Sequence, residues 1–167
     1  MSEPVQDHYE TARQCIGLEE RIFLGTVTAL HFQRFAQASG DLNPLYFDRE
    51  YAREAGYEDV VAPPIFLTGV LGWEAGPSEE SLRQDGLSDS DTAFIKLPGA
   101  RLMGGGQEIE YLTPLRDGDQ VTVWRKVVDV ERHQSTSGDL LLMKLEKRYY
   151  NQHGDPLVIC RETMIVR

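Results

Sequence analysis

The chain has only two cysteines, Cys15 and Cys160, in 167 residues. Their wide separation offers no metal or redox pair, and a domain of this size folds without a disulfide. Positive charge is scarce as well. With 17 Lys and Arg against 27 Asp and Glu, the net charge is −10, which repels phosphate backbones and anionic headgroups and argues against nucleic-acid or membrane-surface partners. Long apolar runs are missing. The least polar stretch, "VVAPPIFLTGVLGW" (60–73), contains a Pro-Pro pair and falls short of the roughly 20 residues a bilayer requires. The opening "MSEPVQDHYE" is acidic, where a secretory leader would be basic and then apolar. A cytoplasmic location is expected. The four histidines, His8, His31, His133 and His153, share no ligand spacing, so no metal site is expected.

What is present is an ordinary globular composition, 41% hydrophobic and 26% charged, sized for one domain spanning 1–167. Thr28 can cap a helix whose apolar face is Phe32, Phe35, Ala36 and Ser39, with Gly40 placed to end it. Asp48 is a second N-cap, for a short surface helix ending at Gly56. "IFLTGVLGW" is apolar nearly all round and is the expected central core helix. Gly, Ser and acidic residues between about 76 and 98 predict an exposed loop. From residue 100 onward the pattern becomes stranded: "QEIEYLTPL", "QVTVWRKVVDVE", "LLLMKLEKRYY" and "PLVICRETMIVR". "RDGD", "STSGD" and "QHGD" read as hairpin turns, so the second half is expected to be an antiparallel meander. The class is α+β, a curled antiparallel sheet around one apolar helix.

The run "SGDLNPLYFD" (39–48) admits two readings that can coexist: a helix C-cap followed by an Asn-Pro turn, or an active-site loop. Together with "A..AGY..VVAPPIFL", "GGGQEIEYLTPLRDGDQV" and "YYNQHGDPLV", it resembles the MaoC-like hot-dog dehydratases, specifically the N-terminal type in fatty-acid-synthase-like 3-hydroxyacyl dehydratases. The resemblance runs from about Ile16 to Val166. It implies a hot-dog fold, dimers or higher oligomers with sites at their interfaces, and R-specific hydration of an enoyl thioester of coenzyme A or acyl carrier protein, without a further cofactor.

That reaction needs a held and deprotonated water, a proton for the α-carbon, and a donor facing the thioester oxygen. Catalytic members resemble "GD.NP.H", with an "A-H-G" segment supplying the backbone donor. Carried over, the acid is Asp41 and the amide Asn43, but the His position holds Tyr46, and Pro63 and Pro64 replace the His and Gly of the second segment. A tyrosine titrates near pH 10 and is a poor base at neutrality. Proline has no N–H for an oxyanion. Losing one such donor costs on the order of 100- to 1000-fold. The expectation is therefore a non-catalytic subunit of a heteromeric enoyl-thioester hydratase. Asn43, Pro63, Pro64, Ile65, Phe66 and Gly69 would shape its pocket, and a second hot-dog subunit would supply the intact Asp/His motif. Two alternatives stand beside it: a self-sufficient homodimer using Asp41 and Tyr46, and an acyl-thioester binding module without catalysis. Bland readings also stand for Tyr46 as core packing, for Pro63 and Pro64 as a rigid start to a helix, for Gly104–Gly106 as the start of a strand, and for Arg101, Arg125, Lys126 and Arg148 as solvated strand charges.

Overall fold

The computed structural model describes residues 5–69, 76, 78–82, 86, 95, 97, 100–135 and 138–167. Helix α1 (Val5–Gln14) leads to strand β1 (Glu19–Thr26), helix α2 (Ala29–Ser39), and short helices α3 (Arg49–Glu54) and α4 (Phe66–Gly69). Strands β2 (Leu102–Tyr111), β3 (Gln120–Ser135), β4 (Gly138–Tyr150) and β5 (Pro156–Val166) follow. The five strands form one antiparallel sheet in the order β1-β3-β4-β5-β2.

β3, β4 and β5 form the expected meander, but β2 does not join it beside β3. It crosses to the far side of β5, with Ile109 opposite Cys160 and Leu102 opposite Val166. "RDGD" is therefore not a hairpin turn between neighbours. It is a tight bend leading into β3, in which the Asp119 carboxylate accepts the Arg116 N–H at 2.8 Å and Gly118 takes φ 88°. "QHGD" does join neighbours. Asn151 Oδ1 accepts the N–H groups of His153 and Asp155, and Gly154 takes φ 83°. The tip of "STSGD" falls partly outside the described residues.

Alternation along the strands makes the two faces of the sheet. Val121, Val123 and Val127 of β3, and Leu141, Met143 and Leu145 of β4, are buried, as one covered face of a pleated sheet requires. Their core falls into two main clusters. One packs α1, through Ala12 and Cys15, onto Val127, Met143 and Val166. The other packs Phe32, Phe66 and Leu67 onto Val121, Val123 and Tyr149. α1 had not been anticipated from the sequence. Its buried stripe His8, Ala12 and Cys15 has helical spacing, but a histidine and an alanine make a faint apolar signal.

The caps formed where expected. Gly40, at φ 73°, ends α2, and Asp48 Oδ1 accepts the N–H groups of Glu50 and Tyr51 at 2.9 and 3.1 Å. His31 is part of the N-terminal cap of α2, where its Nδ1 accepts the Thr28 N–H at 3.2 Å. Of the expected central helix, only α4 lies among the described residues. Phe66 and Leu67 there are buried, whereas Ile65 just before it is 50% exposed, so this first turn is not covered all round. The expected 76–98 loop falls largely outside the described residues. No helix among the described residues is long and apolar enough to cross a membrane.

Candidate active site

The "SGDLNPLYFD" segment is built by side chains capping its own backbone. The Asp41 N–H donates to Ala36 O at 3.0 Å, continuing the helix ending. Asp41 Oδ1 accepts the Asn43 N–H at 3.3 Å, and Asn43 Oδ1 accepts the Leu45 N–H at 3.1 Å. These are Asx turns in sequence. They set Pro44 at the start of a one-turn 3₁₀ helix, Pro44–Tyr46, where its missing N–H costs nothing. Gln33 Nε2 donates to Tyr46 O at 2.9 Å and ties the turn back to α2. The turn directs the Tyr46 side chain inward, leaving it 5% exposed, and its hydroxyl donates to Asp41 Oδ2 at 3.2 Å. The turn chemistry of the loop brings the acid and residue 46 to each other.

Burial raises the Tyr46 pKa above its ordinary value near 10, and the Asp41 carboxylate raises it further by its charge and by the hydrogen bond, against a smaller lowering from Asn43. At neutral pH the phenol keeps its proton and donates it to Asp41. One lone pair of the acid is thereby occupied by the phenol.

The second segment is pinned on both sides. The Val61 N–H donates to Leu45 O at 3.1 Å, and the Ala62 N–H donates to Leu115 O at 2.9 Å. Pro63 and Pro64 then carry the chain into α4, where the Phe66 N–H donates to Pro63 O. Phe66 anchors that turn, standing edge-on to Phe32 and Phe35 at 6.3 and 5.5 Å between centroids. Gly69 approaches the Phe35 ring closely enough that an added Cβ would sit 3.1 Å from its Cζ.

Between these segments and the end of β2 lies a cavity of about 290 Å³. Of the residues expected to shape a pocket, Asn43, Pro63 and Pro64 line it, joined by Tyr46 of the motif. Asp41, bonded to the Tyr46 hydroxyl, is not part of the lining, nor are Ile65, Phe66 and Gly69. Other wall residues had not been singled out: Tyr57, Tyr111, Thr113, Pro114, Leu115 and Val158. A signal was available in "EYLTPL", where a proline ends a strand and leaves the segment free to curl over a cavity. Among the described residues no cluster of three or more His, Cys, Asp or Glu could hold a metal ion.

The model of the FAS1-like dehydratase domain region matches residues 15–160. The chain belongs to this family. Among its relatives, a UPF0336 protein of Thermobifida fusca is 33% identical over 141 residues, which is 84% of this chain and 83% of that one. Solved structures share the fold at lower identity. The ChsH1-ChsH2 complex from Mycobacterium tuberculosis matches with a TM-score of 0.72 at 19% identity, covering 97% of this chain and 92% of that one. The C-terminally truncated HadBC (3R-hydroxyacyl-ACP dehydratase) complex from the same organism gives 0.63 at 17%, covering 90% and 96%. The fold of this chain is thus the hot-dog, a MaoC-like antiparallel sheet with its helices on one face.

Proposed function

We propose that this chain is the non-catalytic, pocket-shaping subunit of a heteromeric R-specific enoyl-thioester hydratase, or 3-hydroxyacyl dehydratase, acting on a thioester of coenzyme A or acyl carrier protein. The observation that carries the reading is the Tyr46 hydroxyl bonded to Asp41 Oδ2, with a pKa raised by burial. A group that holds its proton through the neutral range cannot take one from water. The second support is Pro64, whose place in the cavity wall offers no backbone N–H to a thioester oxygen. The apolar remainder of the cavity suits an acyl chain. Two similar structures, ChsH1-ChsH2 and HadBC, are complexes of two different chains, which agrees with a second hot-dog subunit carrying the intact Asp/His motif. In this reading residues 1–167 act as one cytoplasmic hot-dog domain, and the reaction needs no cofactor beyond the thioester.

The test is turnover of short and long enoyl-CoA substrates by the purified chain, alone and co-expressed with a neighbouring hot-dog subunit bearing "GD.NP.H". Activity only in the pair is expected. Robust turnover by the lone chain would refute the reading in favour of a homodimer using Asp41 and Tyr46. Acyl-CoA stabilisation with no turnover in either preparation would refute it in favour of a binding module.

A further inference from the structure

A second cavity, of about 660 Å³, lies on the other face of the sheet, across β1, β3 and β4. Its β3 residues Thr122, Trp124 and Lys126 alternate with the buried Val121, Val123 and Val127, so it is separate from the site above and independent of the function proposed for that site. Strand register sets its chemistry. Trp124 stands opposite Arg21 on one side and opposite Arg148 on the other. The Arg21 guanidinium lies over the indole, 5.4 Å from the ring centroid, and Trp124 keeps 38% exposure. Lys126 is one step along the same face, and Tyr150, Asn151 and Gln152 also line the cavity.

Charge compensation distinguishes this patch from the rest of the face. Elsewhere the cations are matched: Arg161 with Glu108, Glu110 and Glu146, and Lys144 with Asp129 and Glu131. In the cavity, Glu146 is engaged by Arg148 at 2.8 Å and Arg161 at 3.4 Å. Among the described residues neither Arg21 nor Lys126 has an ion-pair partner. An acidic chain of net charge −10 therefore gathers three cations against two carboxylates, Glu19 and Glu146, in one concavity around a half-open indole.

We infer that this cavity binds a nucleotide-type ligand, a flat heterocycle carrying a phosphate ester. The heterocycle stacks on the Trp124 and Arg21 pair, and the phosphate is held by Lys126 and Arg148. Arginine and lysine supply charged donors to phosphate oxygens, and an exposed aromatic platform accepts any purine face. A phosphate alone leaves the indole unused, and a heterocycle alone leaves Lys126 facing only Glu19 and Glu146 across the strands, with no ion pair formed to either.

Calorimetric titration of the purified full chain with adenosine monophosphate, adenosine and inorganic phosphate tests this. Adenosine monophosphate is expected to bind at least tenfold tighter than either fragment, and its affinity is expected to fall with added salt. Trp124→Ala should weaken it by roughly tenfold or more, and Arg21→Glu and Lys126→Ala should each weaken it several-fold. The last two replace exposed side chains and keep the test open if Trp124→Ala fails to fold. The inference is overturned if adenosine monophosphate does not bind at millimolar concentration, if phosphate alone binds as tightly, or if Arg21→Glu and Lys126→Ala leave binding unchanged.

Discussion

Replacing Tyr46 by Phe removes one hydroxyl and leaves the ring, so it isolates the bond to Asp41. The donor is on a side chain 5% exposed, and the acceptor carboxylate belongs to an exposed residue 3.2 Å away. Water can satisfy Asp41 once the phenol is gone. The loss is therefore the modest net value of a replaceable hydrogen bond, about 1 kcal/mol, rather than the larger cost of stranding a buried charge. For a chain of this length that is a fall of roughly 2–4 °C in Tm. The pH dependence carries more information. Burial and Asp41 raise the Tyr46 pKa in the folded state. The stability linked to it is complete below the unfolded-state value near 10, and is lost as pH climbs through the higher folded value. The wild type should therefore exceed Tyr46→Phe at about pH 7.5, and its advantage should shrink above about pH 10, where its unfolded state alone gains by ionising. Tyr149 and Tyr111, also raised by burial, are common to both proteins and cancel in the difference. Urea denaturation of both proteins across this range measures it. A difference that stays constant with pH, or a Phe variant at least as stable at neutrality, would refute the assigned contact.

Gly105→Ala should cost about 1–3 kcal/mol, because the new Cβ would lie 2.9 Å from the Thr163 backbone oxygen. Gly104→Ala, with open space at its Cβ, should stay within about 0.5 kcal/mol, and thermal melts of the pair check the register of β2 on β5. Asp48→Ala removes the acceptor for two helix N–H groups and should cost about 1 kcal/mol by chemical denaturation. The double change Tyr46→His with Pro64→Gly should give the lone chain enoyl-CoA hydration on the order of 100-fold above its own background. No rise in that assay would overturn the roles given to those two positions.

The parts of this molecule that could be read in the sequence are those decided by neighbours in the chain. Gly40 and Asp48 end and begin helices because local backbone groups need partners there, and no distant residue alters that need. Leu141, Met143 and Leu145 alternate because one face of their strand is covered. The placement of β2 was not legible: its turn residues resemble those of a hairpin, and only the pairing of Ile109 with Cys160, 51 positions away, tells β5 from β3 as its neighbour. At the site, the positions of Asp41, Asn43 and Tyr46 followed from one short motif, but the bond between Asp41 and the tyrosine hydroxyl depends on a turn geometry that spacing alone does not state. The Tyr111 to Leu115 wall reaches the cavity because β2 folds to the far edge, so it became visible only with the topology. The cationic cavity was hidden for a similar reason, since Arg21 and Trp124 meet only across the β1–β3 register.

The strand order also sets a timetable. β2 is complete in the chain by Tyr111, yet among the described residues its one neighbour in the sheet is β5, which begins at Pro156. During synthesis β1, β3 and β4 can assemble as they emerge, while β2 waits with its backbone donors and acceptors unmet until the last strand is made. A chain halted before Pro156 would carry a ten-residue strand with nowhere to dock, a ready template for pairing with other chains. The glycines of "GGG" and the charges Glu108 and Glu110 are the features that keep such a waiting strand from finding the wrong partner.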